Sequence, residues 1–176
     1  MGESEQRAFA AGLAGETMGS GPKKGYTYRW LPARIKDAGG RIVPRSFLRL
    51  LRNAAQATLT SGLPRTEALM ESTSLVGALK QTSKDRVAEL VDEYPFVRRV
   101  ENLEGRTMLM DRAEVVRLLA APPADDDGFA SSGESVFDEL ERIGVLEVRG
   151  DGRIDVPDIY RYGYGIKRKG GARAPR

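Results

Sequence analysis

The stretch "SVFDELERIGVLEVRGDGRIDV", residues 135–156, carries the clearest structural signal in the chain. Its first half predicts a helix with four apolar residues at helical spacing, namely Val136, Phe137, Leu140 and Ile143. Ser135 with Asp138 reads as a capping box that begins this helix, and Gly144 is expected to end it. Its second half alternates apolar and polar residues around Gly-Asp-Gly, which predicts a β-hairpin. A helix followed by a hairpin is the outline of a winged-helix domain.

The helix before this hairpin is acidic, which limits how such a domain could bind nucleic acid. In a winged helix that reads DNA, the helix before the wing enters the major groove. Here that helix carries Asp138, Glu139 and Glu141 and only Arg142 as a cation, so DNA phosphates would repel it. The cations at the hairpin tip and in the tail could still contact a nucleic-acid backbone without reading its sequence. They are Arg149, Arg153, Lys167, Arg168 and Lys169.

A second strong pattern, "PRSFLRLLRNAAQATL", predicts a helix from Pro44 to about Leu59. Its apolar face is formed by Phe47, Leu50, Leu51, Ala54 and Thr58. Arg45, Arg49 and Arg52 follow at i, i+4 and i+7 and form a basic stripe along another side. Arg45 lies in the first turn, where the helix dipole makes a cation unfavourable by about 0.3–1 kcal/mol. The stripe is therefore a candidate anion or nucleic-acid site.

Weaker patterns predict the remaining elements. A helix is expected near Glu5–Leu13, and Pro32 is expected at the first position of a short helix that ends at Gly39–Gly40. A helical region over Thr66–Lys80 is expected to stop before a second helix, which Ser83 caps and Pro95 ends. "GRTMLM" predicts a short strand or extended loop, and Asp111 with Glu114 predicts the start of another helix.

The composition excludes several classes of enzyme. The chain has 176 residues with no His and no Cys, so a histidine-dependent triad and a Cys/His zinc site are impossible. Asp125–Asp127 lack the alternating spacing of a calcium loop, so no metal site is predicted. No catalytic residue is predicted either. No apolar run is long enough to span a membrane and the start lacks a signal-peptide pattern, which predicts a cytoplasmic protein without membrane contact.

The net charge of +3 is unevenly distributed. Residues 1–65 carry +7, residues 66–145 carry −8 and residues 146–176 carry +4. Two basic ends therefore flank an acidic middle, which indicates an anionic partner or contact between the segments.

Two stretches carry a resemblance to a known family. "GYTYRWLPARIKDAGGRIVPRSFLRLLRNAA", residues 25–55, resembles the lid region of bacterial P-loop ATPases of the AAA+/STAND type. In that family a Pro-Arg at the start of a lid helix often carries the arginine called sensor 2. "LERIGVLEVRGDGRIDVPDIYRYGYGIKRKGG", residues 140–171, resembles the winged helix that follows such a lid. The resemblance covers roughly residues 15–60 and 134–171.

The chain departs from this family because it contains no Walker A sequence and no Walker B strand. The resemblance therefore implies a non-catalytic lid or regulatory module in which Arg45 contacts a nucleotide phosphate. ATP with Mg²⁺ would be a cofactor only where an ATPase core is supplied, and that core would be the partner. No enzyme activity is expected of this chain alone, and its oligomeric state stays open.

The fold class expected from these patterns is mainly α with a small β-hairpin: a helical lid-like bundle followed by a winged-helix-like C-terminal domain. The predicted segments are a flexible basic N-terminal segment (1–25), a lid-like helical segment (26–62), a helical middle (63–121), a linker (122–134), the winged-helix-like part (135–166) and a basic tail (167–176).

Two other functions fit the same residues. The first is a nucleic-acid-binding winged-helix module that uses the basic stripe, the wing and the tail. The second is a protein-interaction domain whose acidic middle and basic ends meet partners or each other.

Overall fold

The computed structural model describes residues 2–19, 21–62, 67–122 and 132–169. Within these ranges the chain is mainly helical with two small two-stranded sheets, which confirms the expectation of a mainly α fold with a small β-hairpin. The α-helices are α1 (Glu3–Ala14), α2 (Thr27–Ile35), α3 (Pro44–Thr60), α4 (Ser72–Glu93), α5 (Arg112–Leu119), α6 (Gly133–Arg142) and α7 (Asp158–Arg161). Two 3₁₀ helices span Pro22–Lys24 and Pro95–Leu103. The strands are β1 (Thr107–Met108), β2 (Glu147–Val148), β3 (Ile154–Asp155) and β4 (Lys167–Arg168).

The chain divides into two compact units. Unit 1 comprises Met1–Ile35 and Ile42–Thr82, and unit 2 comprises Lys36–Arg41 and Ser83–Arg176. The six segments expected from the sequence remain a prediction about how the chain is organised.

Unit 1 is built from α1, α2, α3 and the first half of α4. Its core consists of small and aliphatic side chains from these helices, including Ala10, Ala14, Leu31, Ile35, Leu50, Ala54, Leu75 and Leu79. The predicted helix near Glu5–Leu13 is confirmed as α1 and is longer at both ends. The Glu5 carboxylate accepts a hydrogen bond from the Gly2 N–H at 2.6 Å and so stabilises the start of α1.

The prediction that Pro32 begins the second helix is wrong, because α2 begins at Thr27 and contains Pro32 in its interior. Thr27 is fully buried, its hydroxyl donates to the Gly15 carbonyl at 2.6 Å, and its N–H donates to the Glu16 carbonyl at 3.0 Å. These contacts attach the start of α2 to the end of α1. They offset the one intrahelical hydrogen bond that a proline cannot make.

The prediction that Ser83 caps a separate helix is also wrong. Helix α4 continues through Ser83 from Ser72 to Glu93. The buried Ser83 hydroxyl donates to the Ile159 carbonyl at 2.7 Å and accepts from the Gly163 N–H at 2.6 Å, all within unit 2. A capping serine would instead accept from the first turn of its own helix. The end of α4 before Pro95 is as predicted.

In the described residues, unit 2 contains the second half of α4, the 3₁₀ helix Pro95–Leu103, the helices α5, α6 and α7, and two small sheets. The predicted hairpin is confirmed: β2 and β3 pair in antiparallel register, with Glu147 opposite Asp155. Ahead of α5, Met110 exchanges hydrogen bonds with Ile154 at 2.8 and 3.2 Å, so an extended segment joins the hairpin at β3. The same segment begins with β1, which pairs in parallel with β4. Helices α5 and α6 follow β1 and precede the hairpin in the chain.

Helix α6 begins three residues earlier than predicted. Its N-cap is Ser132, whose hydroxyl accepts from the Ser135 N–H at 3.2 Å, so Ser135 lies in the first turn and does not cap the helix. Gly133 occupies the first position because a Cβ there would lie 2.2 Å from the Val116 carbonyl oxygen of α5. The predicted inward residues Val136, Phe137 and Leu140 are buried.

A short loop of unit 2, residues 37–41, packs against the end of α6. The Asp37 carboxylate accepts from both the backbone N–H and the Nε of Arg41, each at 2.8 Å. The Ala38 N–H donates to the Gly144 carbonyl at 2.9 Å. Gly144 has a positive φ of 83°, and a Cβ there would lie 2.9 Å from the Asp37 carboxylate, so both the turn and the contact favour glycine.

Lys167 and Arg168, the first residues of the predicted basic tail, form β4. Most of the predicted linker, with Asp125–Asp127, lies outside the described residues. The same is true of residues 63–66 and of the last residues of the predicted tail.

Candidate functional site

Arg45 is the second residue of α3, directly after Pro44 at the first position. The helix occurs as predicted, and it is fixed to unit 1 by the buried residues Ser46, Leu50 and Ala54. Arg45 is exposed, the first turn contains no acidic residue, and the N-cap Val43 supplies no side-chain cap. The start of α3 therefore combines a positive helix end with an arginine side chain, which suits an anionic group.

The face of α3 opposite its buried residues carries leucines as well as arginines. At 3.6 residues per turn, Arg45, Leu48, Arg52 and Leu59 fall within about 60° of one another and opposite Leu50. Leu48 is 65% exposed and Leu59 is 70% exposed. We call these four residues the α3 stripe.

Arg49 is half-buried and lies to one side of the α3 stripe. The structure therefore brings two of the three predicted arginines together with two leucines. Sequence reasoning identified the arginines and missed Leu48 and Leu59. The detectable signal was their spacing of eleven residues, which is three helical turns.

In unit 2, two of the predicted anion-binding arginines contact a buried aspartate. Asp155 is fully buried on β3. Its carboxylate accepts from Arg168 Nη2 at 2.9 and 3.0 Å and from Arg149 Nη1 at 3.0 Å. The exposed fractions of the two arginine side chains are 9% and 25%. In the structure both arginines neutralise the charge of the buried Asp155 carboxylate. That they also contact an external anion stays a prediction.

A second buried aspartate extends this ionic cluster. The Asp158 carboxylate accepts from Arg161 Nε at 2.8 Å and lies 3.4 Å from Arg168 Nη1. Arg161 is itself buried and also donates to the Ile166 carbonyl at 3.3 Å. Sequence reasoning did not pair these residues, although alternating Asp and Arg near a hairpin was a visible signal. We call Arg149, Asp155, Asp158, Arg161 and Arg168 the ionic cluster.

Glu147 lies opposite Asp155 across the hairpin, and its environment predicts a pH effect on stability. Desolvation, followed by the charge of Asp155, raises the pKa of the Glu147 carboxyl, and its buried Oε2 finds no hydrogen-bond partner among the residues that the structure describes. Because the folded pKa exceeds the unfolded one, ionised Glu147 destabilises the fold above the folded pKa, and this penalty disappears below the unfolded pKa. We expect Glu147→Gln to raise the melting temperature at about pH 7.5 and to lose that gain near pH 4. Calorimetry at both pH values measures the difference, and an equal gain at both would contradict this prediction.

The other predicted cations of unit 2 are exposed. At the hairpin tip Arg153 forms an ion pair with Asp151, with Nη2 and Oδ2 2.6 Å apart, and this hydrogen bond lowers the pKa of Asp151. Lys167 and Lys169 are exposed on either side of Arg168. The charge of Arg153 is therefore neutralised by Asp151. Lys167 and Lys169 form no ion pair with the residues that the structure describes.

The surface of α6 is acidic, as the sequence predicted. Asp138 is 68% exposed, and Glu134 and Glu141 are also exposed. Arg112 of α5 contacts Glu134 at 2.7 Å and Asp138 at 3.3 Å, so one cation is shared by two carboxylates. The face therefore retains negative charge, which opposes entry into a nucleic-acid groove.

Unit 1 also contains an open apolar pocket of about 210 Å³ between α1, α2 and the start of α3. Its lining includes Phe9, Leu31, Ile35, Ile42 and Phe47. The hydroxyl of Tyr28, which also lines it, donates to the Glu3 carboxylate at 2.5 Å. The pocket can accept an aliphatic or aromatic group but offers few polar contacts to orient one.

Comparison with known proteins gives no match to any family model, curated protein or solved structure. Among the helices that the structure describes, none is both long and apolar enough to cross a bilayer. Over the same residues, no group of three or more acidic side chains is placed to hold a metal ion.

Proposed function

We propose that this chain is a non-catalytic lid and regulatory module of a P-loop ATPase, in which Arg45 contacts a phosphate of the bound nucleotide. The observation that carries the proposal is the position of Arg45: exposed at the second residue of α3, on a helix fixed by Ser46, Leu50 and Ala54. The order of a helical unit and a unit with a hairpin also agrees with the family that the sequence resembles.

The proposal includes a winged-helix-like arrangement in unit 2. Its support is the element order: an extended segment, two helices and a hairpin, with Met110 of the first segment bonded to Ile154 of the hairpin. The extended segment precedes α5 and α6 in the chain, and the hairpin follows them. The acidic surface of α6 indicates that this domain does not read DNA through that helix.

A phosphate would find three favourable features at the start of α3. The Arg45 guanidinium can donate two parallel hydrogen bonds to phosphate oxygens. The first backbone N–H groups of the helix project from its N-terminus, which is the positive end of the helix dipole. The first turn of α3 itself contains no acidic residue. The location expected for such a module is the cytoplasm, where ATP is abundant.

The leucines of the α3 stripe supply the contact with the core protein. Leu48 and Leu59 lie about 16 Å apart along the helix, which is the length of a helix face that a partner can cover. Both side chains are more than half exposed and would lose apolar surface to water-free contact if a partner covered this face. Arg45 and Arg52 beside them favour an acidic partner surface.

The chain alone cannot perform ATP hydrolysis by the usual route, because it has no P-loop to hold the phosphates. Purified chain is expected to release no phosphate from ATP above a protein-free blank. A P-loop core with Walker A and B sequences, mixed with the chain, is expected to hydrolyse ATP at a rate that changes when the chain is added. Hydrolysis by the chain unaided would refute the proposal.

A photo-reactive ATP analogue on that core identifies the contact directly. We expect the analogue to label the first turn of α3 in the mixture, and Arg45→Ala to remove most of that labelling. Gln56→Ala, an exposed residue on the same helix, serves as the matched control and should leave labelling unchanged. Labelling confined to unit 2 would place the nucleotide elsewhere.

A further inference from the structure

The exposed face of the β1–β4 ladder carries two cations beyond the proposed nucleotide contact. Strand β4 alternates: Lys167 and Lys169 are exposed, whereas Arg168 between them turns inward to Asp155. Strand β1 places the exposed Thr107 opposite Lys167, and the exposed Arg106 precedes it. We call Thr107, Lys167 and Lys169 the basic ladder face; Arg106, one residue before Thr107, is not part of it because successive side chains of a strand alternate between faces.

Backbone hydrogen bonds fix the spacing of this face. The Lys167 N–H donates to the Arg106 carbonyl at 2.8 Å, and the Lys169 N–H donates to the Met108 carbonyl at 3.1 Å. Side chains two residues apart on a strand project from the same face about 6.6 Å apart, and neighbouring strands are about 4.8 Å apart. Two cations and one hydroxyl donor therefore lie within reach of successive phosphates on one strand.

The charge of this face is weakly compensated. No ion pair is recorded for Lys167 or Lys169 in residues 2–19, 21–62, 67–122 and 132–169. The Glu104 carboxylate lies beside Gly165, just before β4. By contrast, Arg149 and Arg168 are committed to Asp155, and Arg153 is paired with Asp151.

We propose that the basic ladder face binds the sugar-phosphate backbone of nucleic acid without reading its sequence. Lysine and threonine side chains are typical phosphate contacts, and the face has no array of donors and acceptors directed at base edges. The acidic surface of α6 disfavours groove entry by the neighbouring helix, so the backbone is the accessible element.

An anionic membrane is the competing anion, and the observations favour nucleic acid over it. Interfacial membrane binding combines cations with large apolar side chains that insert among the lipids. In the described part of unit 2, Val148 is the one large apolar side chain that is strongly exposed, and it lies on β2 outside this face.

Fluorescence anisotropy with random-sequence duplex DNA tests this proposal, over about 50 to about 200 mM salt. For two phosphate contacts the slope of log K against log salt is expected to be about −1.8. Lys167→Ala/Lys169→Ala should reduce its magnitude by about 1.8, which corresponds to about 60-fold weaker binding at 0.1 M salt if the curves converge near 1 M.

Two control variants separate this face from general charge effects. Lys84→Ala removes an equally exposed lysine of α4 and should leave the slope within experimental error. Glu104→Gln removes a carboxylate that lies just before β4 and should strengthen binding. Circular dichroism confirms that each variant is folded.

Three outcomes would overturn the proposal. They are absence of DNA binding at the lowest salt, an unchanged slope in the double lysine variant, and tighter binding to phosphatidylserine vesicles than to DNA. Each is measured on the whole chain, and none depends on an ATPase core, so this result is independent of the role proposed for Arg45.

Discussion

Asp155→Ala is expected to lower the free energy of unfolding by about 3–5 kcal/mol, because it leaves two arginines without their shared acceptor in a buried site. Arg168 has only 9% of its side chain exposed and donates to both Asp155 oxygens. Arg149 also loses its ion pair, and the Val156 N–H loses its acceptor at 2.9 Å. Removing one partner of a buried pair costs more than the pair itself contributes.

Asp151→Ala is the matched control for this variant. It removes an aspartate of the same hairpin that also pairs with an arginine, but its side chain is 47% exposed. The cost should be below about 1 kcal/mol because water solvates the arginine that remains. Urea unfolding followed by circular dichroism compares the two. If Asp155→Ala lies within the range of Asp151→Ala, the ionic cluster does not stabilise the fold in the way described.

Gly133→Ala is expected to destabilise unit 2 by about 3 kcal/mol, the upper end of the usual cost of overpacking. The added Cβ would lie 2.2 Å from the Val116 carbonyl oxygen and 3.1 Å from the Ala120 side chain. The first of these neighbours is backbone, so it cannot move aside by a rotamer change. Either α6 shifts away from α5, or the start of α6 unwinds.

Gly77→Ala provides the opposite case. Gly77 lies inside α4 with no atom within 4 Å of an added Cβ, so alanine should stabilise the helix by about 0.5–1 kcal/mol. Thermal unfolding of the two variants should therefore shift in opposite directions. A loss of stability in Gly77→Ala, or none in Gly133→Ala, would show that the local packing differs from the one described.

The elements that could be predicted from sequence are those with strong local periodicity. Helix α3 and the hairpin were predicted because their apolar residues repeat at helical or alternating spacing over a whole element. The ends of elements were less predictable. Ser132 and Ser135 both suit an N-cap, and the choice depends on how closely α5 approaches Gly133, which is a tertiary contact.

Contacts between distant residues were beyond local reasoning. Ser83 carries a capping signature, but its hydroxyl is used by Ile159 and Gly163, more than seventy residues away in the chain. Arg149 and Arg168 likewise look available for an external anion until the fold brings both to Asp155. Charged residues in sequence therefore indicate a possible site, and burial decides which of them are used internally.

Some residues of the candidate site could be predicted from the sequence, and others could not. Arg45 was predictable because Pro44 fixes where α3 begins. Lys167 and Lys169 were predicted as part of a tail, whereas Thr107 was missed because the parallel pairing of β1 with β4 joins segments sixty residues apart. Leu48 and Leu59 were left out of the predicted apolar face, and their common side of α3 was missed because only the arginines there were considered.

The most direct test of the proposed role is the ATP dependence of association between this chain and a P-loop core, measured by sedimentation velocity. We expect ATP to strengthen association of the natural chain at least tenfold. Arg45→Ala should abolish that ATP dependence and keep the association seen without nucleotide. Arg52→Ala, on the same α3 stripe, should weaken association while keeping the ATP effect. If Arg45→Ala responds to ATP as the natural chain does, Arg45 does not contact the nucleotide and the proposed function is wrong.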